Sequence, residues 1–83
     1  MSKKTKLIER LQGKPSDFTW DEAVTLMRMC GFRLHKKSGS ARMFVHGTTN
    51  IKVRLHEPHP KKTLLHYMVE QLLEGLRGAG EIK

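Results

Sequence analysis

Cysteine is almost missing from this chain: Cys30 stands alone among 83 residues. A lone cysteine forms no internal disulfide, which excludes the stapled scaffolds of small secreted domains and fits a reducing cytoplasm. On the apolar side of its helix it reads as buried filler. No Cys/His grouping has zinc spacing, so no metal is expected. Long hydrophobic runs are missing as well. A spanning helix needs about 20 consecutive apolar residues, so no membrane span is expected. The basic opening MSKKTKLIERLQG lacks the apolar segment of an export signal. Neither a nucleotide-binding phosphate loop nor a Ser/His/Asp order can be read, and no cofactor is expected. Repeats and low-complexity tracts are absent. Acidic residues are scarce, 8 against 16 Lys and Arg, and none falls between Phe32 and His56.

What remains is a short, strongly basic chain. The length fits one small domain, residues 1–83, with a thin core that a partner would help to stabilise. A net charge of +8 and a pI near 10.1 draw such a domain to polyanions. Nucleic acid is the first candidate, an acidic protein the second, an anionic membrane the third.

Hydrophobic spacing gives the elements. Leu7, Ile8 and Leu11 recur at helical spacing over residues 3–12, and Gly13-Lys14-Pro15 ends that helix. Thr19-Trp20-Asp21-Glu22 has the form of a capping box, with Phe18 placed to staple the first turn. Trp20, Ala23, Val24, Met27 and Cys30 then make an apolar stripe that Gly31 closes. From Phe32 the period falls to 2, the mark of strands. Three runs alternate, 32–37, 41–46 and 51–56, separated by Ser38-Gly39-Ser40 and by Gly47-Thr48-Thr49-Asn50. Pro58 and Pro60 stop the third. Thr63 is placed to cap a last amphipathic helix carrying Leu64, Leu65, Met68, Val69, Leu72, Leu73 and Leu76.

The order helix, helix, strand, strand, strand, helix predicts an α+β fold, a three-stranded antiparallel sheet with helices on one face. Alternation assigns Phe32, Leu34, Met43, Val45, Ile51, Val53 and Leu55 to the covered face. It leaves Arg33, His35, Lys37, Arg42, Phe44, His46, Lys52, Arg54 and His56 on the other. That face is cationic or imidazole with one aromatic, as phosphate binding requires. Docking of an acidic protein would also explain it.

The chemistry on offer is proton transfer. Cleaving RNA without a metal takes a base for the 2′-OH, an acid for the leaving oxygen and cations for the phosphorane. Histidine suits both proton transfers, and the chain has 5. His56-Glu57-Pro58-His59-Pro60 puts two of them on a proline-stiffened strand exit, with Glu57 near enough to orient one; exposed histidines at a strand end are the plain alternative. His66, inside the last helix, reads as structural.

Gly39-Ser40-Ala41-Arg42-Met43-Phe44, then Pro58-His59-Pro60, then Thr63 and the final helix, resemble the HicA family, toxins of bacterial toxin–antitoxin pairs. The stretch DFTWDEAVTLMRMCGF resembles a HicA-like subgroup with an added N-terminal helix. The resemblance covers nearly the whole chain through short motifs. It implies a double-stranded-RNA-binding-like α-β-β-β-α core, cytoplasmic endoribonuclease activity on mRNA, and neutralisation by a HicB-type antitoxin. By that resemblance Gly39 and Ser40 sit at the RNA, with Arg33, Lys37, Arg42, Lys52, Arg54, Lys61 and Lys62 holding phosphates, and Phe44 stacks on a base. The family's catalytic histidine follows Gly-Ser, where this chain has Ala41. Three readings follow: His59 or His56 replaces it, the chain only binds RNA, or Ala41 disarms it. A module that binds RNA without cutting, and an interaction domain docking an acidic partner, remain the alternative functions.

Overall fold

The computed structural model describes residues 2–83 as α1 (Lys3–Gln12), α2 (Trp20–Met29), β1 (Phe32–Lys36), β2 (Ala41–His46), β3 (Lys52–His56) and α3 (His66–Gly78). The sheet is antiparallel in the order β1-β2-β3. The helices pack on one face of it, giving the α+β, double-stranded-RNA-binding-like α-β-β-β-α arrangement with α1 added in front.

Local chemistry accounts for most boundaries. The capping box before α2 is complete: Thr19 Oγ1 accepts from the Glu22 amide at 3.1 Å, and Glu22 Oε1 accepts from the Thr19 amide at 3.0 Å. Gly31, at φ +85°, turns the chain out of α2 in the left-handed region where a side chain is strained. The start of α3 differs from expectation. Its N-cap is Leu65, with no side-chain hydrogen bond, and Thr63 instead bridges to Thr19. The Leu64 amide also donates to Phe18 O (2.8 Å), so the segment before α3 is held as an extended strap against the start of α2.

The core joins Leu7 and Leu11 of α1, Phe18, Leu26 and Met27 around α2, and Met68, Val69, Leu72 and Leu76 of α3 with the inner sheet face. That inner face corrects the alternation reading for β2. The register pairs Phe32 with His46, Leu34 with Phe44, Phe44 with Val53 and Arg42 with Leu55, so Arg42, Phe44 and His46 point toward the helices. Met43 and Val45 lie half-buried on the open face, and Ile51 precedes β3. The physical reason is compensation from distant sequence. Phe44 is fully buried, its ring centroid 5.7 Å from that of Trp20. Buried His46 accepts the Thr49 amide at Nδ1 (3.2 Å), which leaves Nε2–H to donate to Glu81 Oε2 (3.0 Å). Arg42 is held by Glu57. His46 is satisfied inside, and Arg42 is held through its two terminal nitrogens while its buried Nε has no partner among the described residues, so the larger aromatic takes the covered position.

Candidate nucleic-acid interface

The open face is built on three rows. β1 and the residue after it supply Arg33, His35 and Lys37, β2 supplies Ala41, Met43 and Val45, and β3 supplies Lys52, Arg54 and His56. The outer rows are exposed cations and imidazoles, and the central row is apolar and half-buried. Charge along the flanks and a flat apolar floor suit a strand of phosphates with bases laid against the sheet.

The upper end of this face carries the histidine. Ala41 and His56 are directly opposed in the β2–β3 register. The Glu57 amide donates to Ser40 O at 2.9 Å, which makes Ser40–Glu57 a hydrogen-bonded pair and Ala41–His56 the intervening close pair. The His56 imidazole therefore stands beside the small Ala41 side chain. Its Nδ1 lies 3.2 Å from Ser40 Oγ, which orients the ring and leaves Nε2 without a partner among the described residues. Lys37, Ala41, Met43, Arg54 and His56 line a depression of about 450 Å³ there.

Arg42 frames the site from behind. One guanidinium nitrogen donates to Gly39 O (2.8 Å) and Ala41 O (2.9 Å), and the other contacts Glu57 Oε1 at 3.2 Å. Lys62 Nζ donates to Glu57 Oε2 at 2.6 Å. The Lys62 hydrogen bond, with the charges of Lys62 and Arg42, holds the Glu57 carboxyl below the usual carboxylate range. This triad ties the Gly-Ser turn to the exit of β3. Gly39, at φ +58°, takes the left-handed conformation the turn requires, and the amides of Gly39 and Ser40 have no acceptor among the described residues.

The remaining sequence candidates divide. Arg33, Lys37, Lys52 and Arg54 are exposed on the open face as expected. Arg42 and Lys62 are engaged by Glu57, and Phe44 is core, so it has no face to offer a base. Lys61 and His59 are exposed on the loop after β3, and His59 has no hydrogen-bond partner among the described residues. His66 faces Glu70 on α3 (3.3 Å). Sequence reasoning missed the Ser40–His56 contact; the 16-residue separation hides it until the register is known. Burial pushes the Cys30 thiol up, so it is no nucleophile. No group of three or more potential metal ligands occurs among the described residues, and no helix among them is long and apolar enough to cross a membrane.

A basic, imidazole-bearing open sheet on an α-β-β-β-α core defines a small protein of the double-stranded-RNA-binding-like class. Residues 20–80 match the family model described as HicA toxin of bacterial toxin–antitoxin. The chain belongs to the HicA toxin family and is the toxin component of a toxin–antitoxin pair, with an antitoxin as partner. A search of curated proteins found no match, and neither did a search of solved structures.

Proposed function

We propose that this chain is a metal-independent endoribonuclease that cuts mRNA in the cytoplasm and is neutralised by a HicB-type antitoxin, with His56 in the place of the family histidine. The observation that carries this reading is the pairing of His56 with Ala41. A histidine at position 41 and one at position 56 present their rings to the same patch of the open face, because directly opposed residues of a close pair share it. With Nδ1–H donating to Ser40 Oγ, Nε2 of His56 holds the lone pair that removes a 2′-OH proton. Lys37 and Arg54, on either side of the depression, stabilise the charge of the phosphorane. The free amides of Gly39 and Ser40 add two neutral donors to a phosphate. His59, one loop position further on, is the second candidate for proton transfer.

The test is cleavage of a labelled mRNA in EDTA by the wild-type chain and by His56→Ala and His59→Ala. Wild type cuts, and His56→Ala loses about 100-fold or more, the usual scale for one acid–base group. Full activity in His56→Ala overturns the assignment, and full loss in His59→Ala alone transfers it to His59. The open face favours a second reading, RNA binding without cutting. It is the outcome if wild type binds with a steep salt dependence and releases no fragments.

A further inference from the structure

β3 ends the sheet. The bonds from the His46 amide to Ile51 O (2.9 Å) and from the Glu57 amide to Ser40 O (2.9 Å) frame its ladder with β2. Antiparallel alternation then directs the backbones of Ile51, Val53, Leu55 and Glu57 toward β2, and those of Lys52, Arg54 and His56 outward. Their outward N–H and C=O groups have no partner among the described residues. Beside this free edge runs a notch of about 500 Å³ between β3 and α3, floored by Ile51, Val53, Gly75 and Gly78 and bordered on the α3 side by Gln71 and Glu74. α3 comes close to β3 here, since a Cβ on Gly75 would overlap Val53 Cγ2.

The side chains of the outward residues lie on the open face and are cationic or imidazole. Charged edge residues ordinarily serve to discourage strand pairing. Here they discriminate. A second copy of this chain would place Lys52, Arg54 and His56 against themselves, so self-pairing is repelled. An RNA backbone would be served by the three N–H groups but repelled by the three carbonyls between them. An extended acidic segment satisfies all six groups and the charges together. The other free edge, at Phe32, Leu34 and Lys36 of β1, carries one cation among these three residues.

We propose that the antitoxin adds an extended segment to the β3 edge as a fourth strand. Acidic side chains of that segment lie on the open face against Lys52, Arg54 and His56, and small apolar ones alternate into the notch over Gly75 and Gly78. This rests on the reading of the chain as an antitoxin-controlled toxin. It makes neutralisation a direct cover of the His56 site, so antitoxin and RNA exclude each other.

The probe is a fluorescein-tagged Glu-Val-Glu-Val-Glu-Val-Glu peptide, titrated against the ¹⁵N-labelled full chain. The expected result is binding with slowed hydrogen exchange at the amides of Lys52, Arg54 and His56. The same peptide N-methylated at alternate residues binds at least about tenfold more weakly, the scale of one lost hydrogen bond. Gly78→Leu fills the notch from a position where a Cβ makes only ordinary contact with Ile51, at 3.7 Å or beyond, and it weakens binding similarly. Binding indifferent to N-methylation, protection at the β1 edge instead, or no binding at millimolar peptide overturns the proposal. So does a single-stranded RNA that protects the three amides where the peptide does not. The cleavage assay is independent: a chain that cuts RNA and ignores the peptide keeps its enzymatic function and loses this docking mode.

Discussion

Phe44→Ala separates two physical roles for the one aromatic of β2. A base-stacking platform is exposed, and truncating it removes about 1–3 kcal/mol of RNA affinity while leaving the fold alone. Phe44 instead is fully buried and packs on Trp20. Removing a buried Phe costs about 3–5 kcal/mol in transfer and cavity terms. At roughly 0.05–0.15 kcal/mol per residue, a chain of 83 residues holds about 4–12 kcal/mol in all. The substitution therefore consumes a large fraction of the stability. With about 4–8 °C per kcal/mol at this size, Tm falls by at least about 12 °C. Urea unfolding followed by Trp20 fluorescence, read beside RNA anisotropy, measures both quantities on one sample. Phe44→Leu is the control: it keeps an apolar side chain with a smaller loss of volume, loses the aromatic pair worth about 0.5–1.5 kcal/mol, and leaves RNA affinity unchanged. A Phe44→Ala protein with wild-type Tm and weakened RNA binding would refute the register of β2 and with it the composition of the open face.

The Glu57 carboxyl sits lower in the folded chain than in the unfolded one, because Lys62 and Arg42 hold it ionised. Its contribution is present above the unfolded pKa and lost as pH falls through the folded one, so Glu57→Gln flattens the acid limb of the Tm–pH curve; an unaltered limb contradicts the triad. Gly75→Ala overpacks Val53 and costs about 1–3 kcal/mol despite better helix propensity. Val53→Ala in the same chain relieves part of that cost, and strict additivity in the double-mutant cycle counts against the close approach of α3. Cys30 resists thiol reagents in the native state and reacts fully once denatured, and fast native labelling would contradict its burial.

Much of this was legible in sequence because it is local. The capping box at Thr19, the stop at Gly31 and the three alternating runs depend on residues within a few positions of one another. β2 was not legible, and the reason is specific. In Arg42-Met43-Phe44-Val45-His46 both parities offer apolar residues, so periodicity does not choose between them. The choice is made by Trp20, Glu57 and Glu81, which lie 24, 15 and 35 positions from their β2 partners and supply a ring and two carboxylates. The cationic face survives the correction because it is supplied mainly by β1 and β3, where the alternation was unambiguous. The site was half legible for the same reason. His56 stood out by type, but its relation to Ala41 and Ser40 exists only once the strands are paired.

That relation changes what Ala41 means. Opposed residues in a close antiparallel pair hold their Cα atoms about 4.5 Å apart, too near for two imidazoles to serve one phosphate without competing for the same space and charge. One imidazole and one small residue is the compatible combination, and this chain has it with the imidazole on β3. Under the proposed function Ser40 keeps a role, since its hydroxyl contacts the ring that is present. Restoring a histidine at position 41 puts the argument to a direct test. If Ala41 is a disarming change, Ala41→His creates activity where there was none. If His56 does the work, wild type already cuts, and Ala41→His crowds its ring and lowers the rate, with partial recovery when His56→Ala is added to make room. A rate that rises in Ala41→His and is indifferent to His56 would return the catalytic histidine to β2.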